Sequence, residues 1–168
     1  ALGLPVTPAQ QLAIARRWSL ATLPPLAPPF VRARGDRLRV GYVSGDLHAH
    51  ATAYLMAGLF ERHDRQRFDV HVYSHGPDDR SAVRARIRAA VGAWVDVAAL
   101  DDEAAARRMR DDRLDVLIDL KGHTQDARPG ILARRPAPCQ LHYLGFPGTL
   151  GTDAVDGIVA DGIVVPPG

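Results

Sequence analysis

From Arg37 onward the apolar positions switch repeatedly between a period of two and a helical period. Leu38, Val40, Tyr42 and Val43 form an apolar run that breaks at Ser44-Gly45-Asp46, which predicts a strand over 37–44. Leu55, Leu59 and Phe60 then share one face of a helix over about 51–63. Phe68 to Ser74 alternates strictly and reads as a strand. Val83, Ile87 and Val91 recur four apart and predict a helix to about Gly92, capped by Asp78 or Asp79. A short strand follows at 94–97, then a helix from its cap at Asp101 to about Asp112. Leu114 to Leu120 is nearly continuous in apolar residues, the pattern of a strand buried on both faces. A short helix over Pro129–Ala133, a strand over Cys139–Leu144 and a last strand over Val155–Ala160 complete the series.

Strand and helix alternate along the chain, and the connections are too short for anything but right-handed crossovers. The expected fold class is therefore α/β: a Rossmann-like, doubly wound and mostly parallel sheet. Ahead of it, Thr7 can cap a helix whose first turn holds Pro8 and which ends before Pro24. Pro24, Pro25, Pro28 and Pro29 favour an extended, stiff linker. The expected organisation is a helical segment at 1–23, a proline-rich linker at 24–36 and the α/β domain at 37–168.

Composition narrows the classes without naming one. At 168 residues, with 46% apolar and 24% charged residues, the chain reads as one ordinary globular domain. Its net charge of +2 comes from arginines interleaved with acids, as at Arg107, Arg108, Arg110, Asp111 and Asp112. These are solvated helix faces and not a nucleic-acid stripe, which would cluster one sign. The lone Cys139 rules out an intramolecular disulfide, disfavours a cysteine metal site and fits a reducing cytoplasm. No run approaches the ~18–20 apolar residues of a membrane span, so no membrane partner is expected. The chain starts without Met and stops just after an apolar run, which reads as a piece of a longer polypeptide.

In a doubly wound sheet, ligands lie outside the carboxyl ends of the strands. Three loops there carry unusual residues. The first, Ser44 to Thr52, holds His48 and His50 at the start of a helix, where the helix dipole disfavours a cation. A neutral imidazole can accept a proton or hydrogen-bond a sugar hydroxyl; the plain alternative is a capping Asp46 and a solvated histidine. The second, Asp119 to Thr124, has Gly122 for a tight turn, with Lys121 and His123 projecting at the sheet edge. The third, Leu144 to Thr152, is rich in glycine but lacks the lysine of a P-loop. Neither a Gly-x-Gly-x-x-Gly fingerprint nor a Gly-x-Ser-x-Gly elbow is present, which argues against a dinucleotide dehydrogenase and against a triad built from Ser44, His50 and Asp46. His71 and His142 fall inside strand patterns and read as structural; His63 and His75 read as surface termini.

Three blocks together go further. Arg37 to His50, Asp119 to Thr124, and Arg135-Pro136-Ala137-Pro138-Cys139-Gln140 running into Leu144 to Gly151 occur in an order and spacing that resemble the catalytic region of protein O-linked N-acetylglucosamine (O-GlcNAc) transferases, the family 41 glycosyltransferases, bacterial type. The resemblance implies the amino-terminal half of a GT-B glycosyltransferase, with tetratricopeptide repeats upstream and a second Rossmann-like half downstream. It implies inverting, metal-independent transfer of N-acetylglucosamine from UDP-GlcNAc to Ser or Thr hydroxyls of protein acceptors, with no cofactor. This chain would supply one wall of the cleft and be inactive alone.

By position, His50 matches the family's active-site histidine, considered there as a base. Leu144, Gly145 and Pro147 match the loop lining the sugar pocket, and Gly122, His123 and Thr124 match a loop near donor and acceptor. A Gly145→Val change is accordingly expected to crowd the sugar. His123 stands where animal members carry tyrosine, and Ala51 and Tyr54 where they carry proline and histidine. Alternatives are a related N-glycosyltransferase using another UDP-hexose, a non-catalytic Rossmann-like interaction module, or an unrelated sugar-nucleotide enzyme such as an epimerase.

Overall fold

A computed structural model describes residues 5–31, 35–163 and 165. The first part of the expected helical leader (1–4) and residues 32–34 of the linker lie outside the described residues. The helices are α1 (Pro8–Thr22), α2 (Ala51–Arg62), α3 (Ala82–Ala90), α4 (Asp102–Asp111) and α5 (Pro129–Ala133). The strands are β1 (Leu38–Ser44), β2 (Phe68–Ser74), β3 (Ala93–Asp96), β4 (Val116–Asp119), β5 (Cys139–Tyr143) and β6 (Gly157–Val159).

All six strands are parallel, in the order β3-β2-β1-β4-β5-β6. This is the doubly wound order expected from the alternation of elements. β1 pairs on one side with β2, Ser44 opposite Ser74, and on the other with β4, Val43 opposite Asp119. The winding reverses between β1 and β4, so their carboxyl ends open a crevice at the topological switch point.

Alternation along β1 sends Val40 and Tyr42 to one face and Val43 to the other. The first face packs Met56, Ala57 and Phe60 of α2 and Val83 and Ile87 of α3 against Val70 and Val72. The second packs Ala105, Ala106 and Met109 of α4 and Ile131 and Leu132 of α5 against Tyr73 and Leu117. Burying each large side chain of this kind contributes about 1.5–3 kcal/mol. The two layers fix β1 and β4 from both sides, and with them the crevice.

Helix starts follow local chemistry except at α5, where Arg128 makes no side-chain cap bond. The Asp101 carboxylate accepts from the Ala104 amide at 2.7 Å and caps α4 as expected. α3 does not start at Asp78 or Asp79; its cap is Ser81, whose hydroxyl accepts from the Arg84 amide. Asp79 instead accepts from the Ala49 amide of the β1 loop, and Asp78 pairs with Arg84 of α3 itself. α1 begins with a capping box between Thr7 and Gln10. It lies against the domain: the Ser19 hydroxyl, buried, donates to the Leu150 carbonyl at 2.9 Å. The Ala27 amide donates to the Ala133 carbonyl, so the linker too touches the α/β domain.

Candidate functional site

The crevice is built from the three loops that follow β1, β4 and β5, each held by a different device. In the first, the Asp46 amide donates to the Ser44 hydroxyl, closing a turn straight off the strand. Asp46 does not cap α2. Its carboxylate instead meets the ammonium of Lys121 at 2.8 Å, with the two side chains only 14% and 6% exposed. Lys121, the sole lysine, therefore does not project at the sheet edge; it lies buried across the switch point and ties the β1 loop to the β4 loop. A charge so placed is tolerated because it is paired.

The cap of α2 is His50. Its Nδ1 accepts from the Thr52 amide at 3.2 Å, and its ring is 44% exposed at the mouth of the crevice. An amide can only donate, so in this contact Nδ1 carries the lone pair and the ring hydrogen sits on Nε2; the Asp46 carboxylate lies 4.0 Å from the same Nδ1. The outward nitrogen is thus a donor. His48 stacks obliquely on His50 at 5.7 Å between ring centres and makes no cap of its own.

In the β4 loop Asp119 organises the backbone. Its carboxylate accepts from the amides of Lys121 and Gly122, the latter at 2.7 Å, and faces the Nδ1 of His142 at 3.3 Å. Gly122 adopts φ +61°, and a Cβ there would press on Phe146 and His142. The Thr124 hydroxyl donates to the Lys121 carbonyl. His123 turns away from the His50 side. Its ring lies edge-on to Trp18 of α1 and Phe146, 4.8 and 5.4 Å between centres, and its Nε2 meets the Leu150 carbonyl at 3.0 Å.

The β5 loop opens with Leu144 at φ +63° and Gly145 at φ +42°. A Cβ on Gly145 would strike the Leu120 carbonyl and the Lys121 backbone. The glycine therefore serves first to seat this loop on the β4 loop. Crowding caused by a larger side chain falls on that backbone before it reaches any ligand. His142, 2% exposed, joins the two loops: its Nε2 donates to the Phe146 carbonyl at 2.8 Å while Nδ1 faces Asp119. Burial opposes its cation, but the hydrogen bonds to Asp119 and Phe146 outweigh burial and raise its pKa above the usual histidine value.

A cavity of about 420 Å³ opens between α1 and these loops, lined among others by Ile14, Trp18, His123, Thr124 and Phe146. A neighbouring one of about 390 Å³ includes Pro147, Leu150 and His142 in its walls. Neither is lined by His50. The expected site residues thus fall into two groups. Gly122, His123, Thr124, Leu144, Gly145 and Pro147 cluster on the β4 and β5 loops, and His50 stands beyond the Asp46–Lys121 pair.

Periodicity missed His75, which is no surface terminus. Its amide donates to the Ser44 carbonyl and its ring packs on Gly45, where a Cβ would come within 2.9 Å. Burial, then the charges of Arg128 and Lys121, push its pKa down to about 4, so it stays neutral beside the crevice. Asp119 was the one legible hint, an acid closing the apolar run Val116-Leu117-Ile118. Among the described residues, no three His, Cys, Asp or Glu side chains are grouped so as to hold a metal ion. No described helix is long and apolar enough to cross a membrane.

Comparison with known proteins decides the family. The model of glycosyl transferase family 41 matches residues 13–167. The chain belongs to this family. Among curated relatives, a probable UDP-N-acetylglucosamine–peptide N-acetylglucosaminyltransferase of Arabidopsis thaliana, SEC, is 36% identical over 99% of this chain. A UDP-N-acetylglucosamine–peptide N-acetylglucosaminyltransferase of Caenorhabditis elegans is 36% identical over 79% of it. The chain spans only 18% and 12% of those two proteins. A solved structure of a Thermobaculum terrenum O-GlcNAc transferase mutant, K341M, superposes with a TM-score of 0.88 at 34% identity, covering 98% of this chain and 32% of the other. The family 41 match begins inside α1, so α1 and the linker are matched along with the sheet.

Proposed function

We propose that this family 41 chain forms one wall of the active site of a protein O-GlcNAc transferase, moving N-acetylglucosamine from UDP-GlcNAc to Ser or Thr hydroxyls. The observation that carries the reading is the crevice at the switch point, where His50 caps α2 and the Asp46–Lys121 pair joins it to the β4 and β5 loops. Such a crevice is where an open α/β sheet takes a sugar nucleotide. The facing wall is a second Rossmann-like half of the same protein. α1, docked on the β5 loop through Ser19, is the end of an upstream tetratricopeptide region that delivers acceptors. The free, partly buried Cys139 accords with a reducing cytoplasm.

Inverting transfer needs the acceptor oxygen in line with the sugar carbon, stabilisation of the departing diphosphate, and a place for the acceptor proton. With Nδ1 engaged by Thr52, His50 meets the second requirement or orients the acceptor by donating from Nε2. Direct proton abstraction by His50 would need the other tautomer and would uncap α2. The acceptor proton therefore leaves by another oxygen, that of a water or of the donor phosphate. No step calls for a metal. His123, Thr124, Leu144, Gly145 and Pro147 shape the sugar and acceptor subsites.

The test is the full-length protein with UDP-GlcNAc and a Ser/Thr peptide, set against UDP-glucose and an Asn peptide. Expected is O-linked N-acetylglucosamine on the first peptide, reduced about 10²-fold or more in His50→Ala. Full turnover in His50→Ala would remove that residue from the site. Transfer only to asparagine or only from UDP-glucose would overturn the reaction assigned.

A further inference from the structure

The β2–α3 loop carries a short polar motif, Pro77-Asp78-Asp79-Arg80-Ser81 followed by Arg84, in which Ser81 caps the helix and the Asp79 Oδ1 accepts from the Ser81 amide at 3.0 Å. Two of its charged groups, Asp79 through its second carboxylate oxygen and Arg84, reach the histidine loop about thirty residues earlier in the chain. Asp79 accepts from the Ala49 amide at 2.7 Å. Arg84, only 4% exposed, donates to the Leu47 carbonyl at 3.1 Å and to the Ser74 hydroxyl at 3.2 Å. Its Nε pairs with Asp78 at 3.2 Å, and its guanidinium lies 4.7 Å over the Trp94 ring. Burying an arginine is costly unless every face of it is engaged. Here each partner belongs to a different part of the fold: the β1 loop, β2, the β2–α3 loop and β3. The side chain is a cross-link whose one free-standing load is the backbone just ahead of His48.

Leu47 is fully buried, whereas Ala49 and His50 are exposed. Past Leu47, whose side chain is anchored in the core, the exposed part of the turn has no packing to hold it beyond a bond from the His50 amide to the His48 carbonyl. The Arg84 and Asp79 bonds pin it at Leu47 and Ala49, directly before the cap. The next bond along is His50 Nδ1 to the Thr52 amide, which sets the ring's tautomer. The Ala49 bond also holds the Asp79 carboxyl at about 2, so it persists across any working pH.

We propose that Asp79 and Arg84 are positioning residues, which clamp the Leu47–His50 turn so that His50 caps α2 and presents Nε2–H to the crevice. Neither touches the reacting groups; both act through His50. The kinetic part of this inference rests on the transfer reaction proposed above, and the spectroscopic part does not.

The experiment uses the full-length protein carrying Asp79→Ala, Asp79→Asn or Arg84→Lys, each first checked for an unchanged unfolding midpoint. Asp79 is on the surface, so its variants are expected to fold. Asp79→Ala is expected to lower kcat about 10–100-fold, the scale of an ångström's misplacement, with the KM for UDP-GlcNAc little changed. Asp79→Asn keeps an oxygen that accepts from Ala49 and is expected to retain most of kcat. Arg84→Lys, with one ammonium in place of a fork, is expected to fall between them. In parallel, nitrogen NMR of labelled histidine, with the His50 signal assigned by its loss in His50→Gln, reads the tautomer directly. The wild type is expected to show one neutral form with Nδ1 bare, and Asp79→Ala a mixture. Unchanged kcat in Asp79→Ala, an equal loss in Asp79→Asn, or an unaltered His50 tautomer in Asp79→Ala each overturns the clamp. If the wild-type protein transfers no sugar at all, the proposed function fails, and the tautomer comparison still decides the clamp.

Discussion

Replacing His142 with alanine tests how the β4 and β5 loops are held together, because one buried ring spans both. The Phe146 carbonyl can only accept, so the ring's Nε2 must carry hydrogen. A neutral ring has no second hydrogen, and its Nδ1 lone pair would then face the Asp119 carboxylate at 3.3 Å. Only the cation satisfies both partners. The charge-assisted bond to Asp119 is worth about 1.5–3 kcal/mol and the bond to the carbonyl about 1 kcal/mol. Together with the cavity left by a fully packed ring, His142→Ala should cost roughly 3–5 kcal/mol in acid. Because hydrogen bonds to Asp119 and Phe146 raise the folded-state pKa against the pull of burial, the folded protein holds this proton more tightly than the unfolded chain. The extra stability is therefore fully present below the unfolded value of about 6.5 and fades as pH rises through the higher folded value.

The assay is urea unfolding of wild type and mutant at pH 5.5 and pH 9, followed by the emission of Trp94 in β3 and Trp18 in α1. The penalty of His142→Ala should shrink by about 1.5–3 kcal/mol between the two. His142→Gln, which can still donate to Phe146 but cannot titrate, should show a smaller penalty at pH 5.5 that shrinks by the same amount, because the pH dependence belongs to the wild-type ring. An equal penalty at both pH values would refute the cationic bridge.

Lys121→Met leaves the Asp46 carboxylate unpaired in a site 14% exposed, which should cost about 3 kcal/mol and lower the unfolding midpoint by about 6–12 °C; Lys121→Met combined with Asp46→Leu should recover most of that in calorimetry. Gly145→Val forces a β-branched residue to φ +42° and onto the Leu120 carbonyl, so a loss of at least about 2 kcal/mol is expected in urea titration, together with weaker donor binding. Ser19→Ala removes the buried bond to Leu150 and should weaken docking of α1 by about 1 kcal/mol, seen as an earlier transition of Trp18 than of Trp94; coincident transitions would count against α1 as a separate docked element.

Much of the fold could be read from residue order alone. The apolar run ending at Ser44, the alternation of Phe68–Ser74 and the dense Val116–Ile118 segment each mark a strand, because a strand's side chains reach their surroundings with a period of two wherever the chain goes. Alternating elements then leave few topologies, so the crevice at the end of β1 was locatable before any coordinate. The three loops were legible for the same reason, and the pair His48 and His50 because histidines at a helix start are a local feature; the family resemblance singled out His50, and the structure makes it the cap of α2. The pairings inside the crevice were not legible. Lys121 finds Asp46 across 75 positions, Ala49 finds Asp79 across 30 and His142 finds Asp119 across 23. Asp79 looks like a helix cap, Lys121 like a solvated edge and His75 like a surface turn when only neighbours in the chain are weighed. What assigns Asp79 is the Ala49 amide that the packed β1 loop brings beside it, and what assigns Lys121 and His75 is burial, which exists only once the strands have packed, since a charge removed from water must pair with whatever group the sheet brings beside it.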